Sequence, residues 1–174
     1  QKGRLQYKLL DKSYYNDFEA GDKDKYFVEF PEPVRLDRLD VYIEQKDNNT
    51  AGDFWKCDNI SITPMHSGVA LTDPISVGGN HDMDSDRQWK LGFQEALNAK
   101  NNKNTKTQNV TTLKVRIKTG SGTYPGTDSD VYLEAFNGST NEVWKSVLLD
   151  KPAYNDFEKG DDDVYIVPVT KYNK

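Results

Sequence analysis

Residues 111–118, TTLKVRIK, alternate strictly between polar and apolar positions, with Leu113, Val115 and Ile117 on one face. A period of two over such a run predicts a half-buried strand. The same reading places strands at 5–10 (LQYKLL), 25–30, 54–63 (FWKCDNISIT), 131–136 (VYLEAF) and 142–149 (EVWKSVLL), with NGST as a hairpin-type turn before the last. Within 34–43 (VRLDRLDVYI) the alternation changes phase between Leu36 and Leu39, which predicts two short strands or a bulge. About eight strands with turns at sandwich spacing predict an all-β chain, an antiparallel β-sandwich. Residues 64–85, punctuated by Pro64, Gly68, Pro74, Gly78 and Gly79, read as loop. One segment, 86–99 (DRQWKLGFQEALNA), carries a helical period: Trp89, Phe93, Ala96 and Leu97 share a face, and Ser85 or Asp86 can cap the start. Gly92 weakens that helix by roughly 1 kcal/mol. Residues 100–109 (KNNKNTKTQN) read as a polar linker.

One stretch occurs twice. Residues 148–167 (LLDKPAYNDFEKGDDDVYIV) and 9–28 (LLDKSYYNDFEAGDKDKYFV) agree at 14 of 20 positions without a gap, at an offset of 139 residues. Each copy reads as a short apolar run, an acidic turn rich in Asn, Asp and Gly, and an alternating strand. One copy stands near the beginning of the sequence and the other near its end. The chain therefore divides into 1–65, a 44-residue connector 66–109, and 110–174, and the two outer parts are expected to complete one domain in permuted order.

Hydrophobic residues are 35% of the chain, but ten Tyr, seven Phe and three Trp raise the area each can bury. The net charge of -5 argues against general nucleic-acid affinity, which needs clustered Lys and Arg. The single cysteine, Cys57, excludes an internal disulfide and reads as a small core residue. No Cys/His zinc spacing occurs, and no apolar run approaches the 18 residues of a membrane span. His66 and His81 are the only histidines, and no nucleophile motif or phosphate loop accompanies them, so a non-catalytic role is expected. The acidic clusters admit two readings: Asp and Asn that cap their own turns, or oxygen ligands for a hard cation. Asp82, Asp84 and Asp86 stand at alternate positions but lack the glycine and distal glutamate of an EF-hand loop.

The run TLKVRIKTGSGTYPGTDSDVYLEAFNG (112–138) resembles the opening of a PLAT (lipoxygenase-homology) domain: a strand, a Gly-rich turn ending in Gly126-Thr127-Asp128, then the strand beginning Val131-Tyr132-Leu133. The family's NDFE-x-G-D segment is present twice, at Asn16–Asp22 and Asn155–Asp161, and its late Trp-bearing loop and strand is matched by 53–62, DFWKCDNISI. The resemblance covers about 5–65 and 110–169. It departs from the family in order, because the late strands come first, and so implies a circularly permuted sandwich or a domain-swapped oligomer with the acidic-loop strand in duplicate.

The resemblance implies calcium held between loops. The matching positions are Gly126 through its carbonyl, Thr127, Asp128, Asn155, Asp156, Asp53 and the carbonyl of Phe54, with Asn16 and Asp17 as the duplicate pair. Tyr124 stands where some members carry a further carboxylate. Trp55 is expected either in the core or exposed as a lipid or partner contact, since an indole has an apolar body and a polar edge. The function implied is a non-catalytic, calcium-assisted module that attaches its parent protein to a membrane lipid surface or a protein partner. Neighbouring PLAT repeats and an extracellular or cell-surface setting go with it. The alternatives are a structural repeat module without calcium dependence, and an accessory domain of a lipase or lipoxygenase-like enzyme.

Overall fold

The computed structural model describes residues 32–46, 55–83, 88–100, 107–121, 126–127, 129–151 and 154–170. In chain order these form strands β1 (Val34–Arg35), β2 (Leu39–Lys46), β3 (Lys56–His66), β4 (Val69–Ala70), β5 (Ile75–Gly78), β6 (His81–Asp82) and β7 (Gln88–Leu91). Helix α1 (Phe93–Ala99) follows, then β8 (Asn109–Val110), β9 (Thr112–Thr119), β10 (Asp130–Asn137), β11 (Val143–Leu148) and β12 (Asp162–Pro168). Most of the described residues are in strands, with this one short α-helix among them, in antiparallel sheets, as a β-sandwich requires.

One main sheet has the order β11-β10-β2-β7; the other has β12-β9-β3-β4, with β5 and β6 also pairing along β3, and β1 pairs β8 in a separate two-stranded ladder. Each sheet thus draws strands from both outer parts of the chain. β2 pairs β10 from Leu39↔Asn137 to Lys46↔Asp130, and β3 pairs β9 from Cys57↔Thr119 to Met65↔Thr112. Strict alternation explains β9 and β12: Leu113, Val115 and Ile117, and Tyr165 and Val167, are buried while their neighbours point out. The phase change between Leu36 and Leu39 is a single 3-10 turn, Leu36–Arg38, which re-aims the chain so that both leucines are buried. The Gln94 side-chain amide donates to the Leu36 and Leu39 carbonyls at 2.7 and 2.6 Å, fastening α1 to this turn.

Two expectations fail in the middle of the chain. The loop expected over 64–85 is broken by strands: β3 continues through Pro64 to His66, and β4, β5 and β6 then pair against it. The reversal at Ser67-Gly68, with φ of 50° and 82°, is a two-residue hairpin turn, and the Pro64 carbonyl accepts from Leu71 N–H. The helix expected over 86–99 is shorter. Gln88–Leu91 pairs with Val41–Glu44 as β7, and only Phe93–Ala99 is helical. The open edge of β2 supplies β7 with a ladder that a local period cannot reveal, and Gly92 marks the change from strand to helix. This middle region puts Ile75, Val77, Met83, Leu91, Phe93 and Leu97 into the core. The strands expected at 5–10 and 25–30 and the caps Ser85 and Asp86 lie outside the described residues.

Candidate functional site

The turn that follows β11 returns the chain to β9. Lys151 N–H donates to Asp156 Oδ2 at 2.7 Å, closing the first part of this turn, and Glu158 N–H donates to Asp161 Oδ2 at 3.1 Å, closing the second. Phe157 sits between them at φ 65°, a left-handed conformation unusual for a bulky residue. Its ring is buried, edge-on to Trp55 at 5.1 Å and stacked on Tyr165 at 5.6 Å.

Beneath the turn lies a polar network. Asp156 is 9% exposed and Asp163 1%. The Tyr165 hydroxyl donates to Asp156 Oδ1 at 2.8 Å, and Phe157 N–H donates to Asp163 Oδ2 at 3.1 Å. The Lys151 ammonium bonds Asp163 Oδ1 and stands 3.4 Å from Asp156 Oδ1. One cation thus serves two buried carboxylates, whose burial would be costly without it. Burial acts to lower the pKa of Lys151, but the hydrogen bond and charge of Asp163, joined by Asp156, outweigh it and the net shift is upward. The Tyr165 hydroxyl is pushed well above its ordinary range, first by burial and then by its bond to Asp156.

Three parts of the chain meet here. Thr127 N–H donates to the Phe157 carbonyl at 3.3 Å, and a Cβ on Gly126 would stand 3.0 Å from that same oxygen, so any larger residue would push the two turns apart by a few tenths of an ångström. Trp55, at the head of β3, closes the third side. A polar cleft of about 230 Å³ opens at this end, its walls including Thr127, Asp130, Asp150, Asn155 and Asp156.

Gly126, Thr127, Asn155 and Asp156 therefore lie on two adjoining turns. Asp128, Asp53, Phe54, Asn16 and Asp17 lie outside the described residues. Two of the expected ligands are differently employed. Asp156 spends its oxygens on Tyr165, the Lys151 amide and the Lys151 ammonium, and a cation there would face that ammonium. The Thr127 hydroxyl accepts from the Gln45 amide and from Ser129 N–H, both at 3.0 Å, which ties the Gly-rich turn to β2. The described ligand set does not by itself fit a calcium ion, and among the described residues no three His, Cys, Asp or Glu side chains are grouped closely enough to hold a metal.

Trp55 is corrected from its exposed reading. It is 0% exposed, and its indole N–H donates to Thr119 Oγ1 at 3.2 Å, so it is a core residue rather than a surface contact. Its position between β9 and the turn decides this, since its ring meets Phe157 and its polar edge meets Thr119 inside. Cys57 is buried as expected, its thiol pushed up to about 12 by that burial. Sequence reasoning weighed Asp163 only as added charge for a cation, with Asp161 and Asp162, and overlooked the roles of Lys151 and Tyr165, and also of Tyr154, which is 50% exposed beside the cleft with the Lys151 ammonium 4.5 Å from its ring centroid. One signal was available: all four recur in the duplicate, as Lys12, Asp24, Tyr26 and Tyr15.

Comparisons with protein-family models, curated proteins and solved structures return no match.

Proposed function

We propose that the chain is a non-catalytic, PLAT-like sandwich module that attaches its parent protein to a membrane surface or a protein partner through the end where the Gly-rich turn and the NDFE turn meet. The observation that carries this reading is the convergence itself: Thr127 N–H on the Phe157 carbonyl, with Trp55 edge-on to the same phenylalanine. Two turns about thirty residues apart are locked together around a polar cleft on a rigid scaffold, the usual setting for a binding site. In this reading calcium would be held by Asn155, Asp150 and Asp130 of the cleft wall with the Gly126 carbonyl, and Asp156 would position the turn. Tyr154 takes the contact role first expected of Trp55, because its ring is half exposed at the rim.

A second reading has its own support. The Lys151 ammonium already supplies counter-charge to Asp156 and Asp163, which favours a structural repeat module with no calcium dependence. Calcium calorimetry with melts in calcium and in chelator separates the two, since a ligand that binds only the folded state raises its stability. A saturable isotherm and a rise of several degrees support the calcium-assisted module, and liposome co-sedimentation then distinguishes lipid from protein partners. No heat and no shift up to millimolar calcium would establish the structural reading.

A further inference from the structure

Six large hydrophobic side chains are exposed among the described residues, and five of them lie on one side of the sandwich: Val143 and Leu148 on β11, Tyr154 in the turn, and Val164 and Ile166 on β12. β11 and β12 are edge strands of the two sheets, and no described strand lies beyond either. The turn 149–161 joins them, and Lys151, just past β11, bonds Asp163 in β12, so the two edges stand side by side. The far side is different. There the edge strands β4, β5, β6 and β7 hold only two to four residues each, and a short edge is a usual protection against strand addition. β12 has seven residues, and its ladder with β9 runs without a register shift.

The backbone of β12 is set for another strand. Thr119 N–H donates to the Asp161 carbonyl at 2.9 Å, and Val169 N–H donates to the Thr111 carbonyl at 3.1 Å. The odd-numbered residues therefore bond β9, and Asp162, Val164 and Ile166 turn N–H and C=O away from it. Their side chains stand on the solvent face, where Arg116 takes up Asp162. What remains at the open edge is an apolar pair, Val164 and Ile166, the latter 61% exposed, beside amides that no described strand meets. On β11 the same parity holds: Leu149 N–H donates to the Val131 carbonyl at 2.8 Å, which leaves Ser146 and Leu148 facing outward.

We propose that a second molecule of this chain docks on this side, forming an isologous dimer in which β12 pairs antiparallel with β12. A two-fold axis normal to the sheets sets β12 against β12 and β11 against β11 at once, both antiparallel. An added peptide strand would cover one edge; a second molecule covers both, and no segment is exchanged. Centring the axis on Tyr165 puts Val164 opposite Ile166 of the partner subunit, and Asp162 opposite the partner's Pro168, so no two charges meet across the seam. Each strand is about 20 Å long and the sheets stand about 10 Å apart. The contact is then on the order of 1,000 Å² in total, at the lower end of specific interfaces, and the dimer is a weak one. Both molecules carry a net charge of -5, so salt strengthens the dimer by screening their repulsion. The dimer does not depend on what the cleft binds.

The test is sedimentation equilibrium of the full chain from micromolar to millimolar, beside a variant carrying Val164→Glu and Ile166→Glu. The new carboxylates face Arg116 and Lys114 of their own sheet, so the monomer keeps its melting temperature, but they meet one another across the axis. Expected is a parent chain in monomer–dimer equilibrium, tighter at higher salt, and a double variant that dimerises roughly tenfold less or worse. Val69→Glu, at the exposed residue on β4, leaves the equilibrium unchanged. A parent that stays monomeric throughout, or a double variant that dimerises as the parent does, would overturn the proposal. Register has its own readout. Chains carrying Val164→Cys and chains carrying Ile166→Cys, mixed and oxidised, should give mainly the mixed 164–166 disulfide dimer, Cys57 being buried. Disulfide homodimers in equal or greater yield would overturn the pairing about Tyr165.

Discussion

The two edges of β3 are closed by different physics. Along one edge β3 pairs with β9, and through it with β12, where the turn is sealed by Asp156, Asp163, Tyr165 and Lys151, a buried polar network around one ammonium. Along the other edge β5 and β6 pair with β3, and the seam to the opposite sheet is closed by Trp89 of β7. Its ring stacks on His81 at 4.1 Å and 12°, and lies against Gly78 so closely that a Cβ there would come within 2.4 Å of the indole. The first seam depends on every partner being present, because any group removed leaves another buried and unpaired. The second depends on shape alone. The polar seam is built by the stretch whose sequence recurs at 9–28.

Removing the carboxylate from the polar seam has the largest expected effect. Asp163→Ala combined with Asp24→Ala, so that neither copy retains it, leaves Phe157 N–H without its acceptor and the Lys151 ammonium with Asp156 alone. The loss is about 3 kcal/mol, read as a drop of roughly 10 °C in the melting temperature.

Alkali comes next. Tyr165 and Lys151 both have folded-state pKa values above their ordinary 10.0 and 10.5. The stability they contribute is complete below about pH 10 and falls as pH rises beyond it, because the unfolded chain releases those protons first. Urea midpoints between pH 8 and 11.5 should fall steeply at the upper end. Tyr165→Phe with Tyr26→Phe should flatten that fall, and an unchanged slope would separate the network from the alkaline limb.

At the aromatic seam, Gly78→Ala forces the Trp89 ring aside and costs about 1–2 kcal/mol, with a matching change in near-ultraviolet circular dichroism from the displaced indole. This loss should be the same at pH 8 and pH 10.5, unlike that of the polar seam. The smallest effect belongs to the exposed ladder pair. The Arg116 guanidinium holds the Asp162 carboxyl below its usual range, but both side chains are largely in solvent, so Arg116→Ala should leave the melting temperature unchanged within error.

Several features were legible in the residues alone because they are local. The periods of β9, β10 and β12, the phase change at Leu36–Leu39, the inward Cys57 and the hairpin at Asn137–Thr140 follow from side-chain alternation and turn chemistry, which need no knowledge of neighbours. The all-β character follows from the same periods, and the 14 matches between two stretches mark the segment on which one seam is built. What only the tertiary structure decided are the features set by remote partners. Gln88–Leu91 is a strand because β2 offers it an edge, although its residues continue the helical spacing of Phe93 and Leu97. Trp55 is buried because Thr119 and Phe157 enclose it. Asp156 is a turn anchor because Tyr165 and Lys151 reach it first. A carboxylate reads identically in sequence whether it meets an ammonium, a hydroxyl or a cation. Its role depends on which groups the folded strands bring within about 3 Å, and that is a property of pairing between distant parts of the chain.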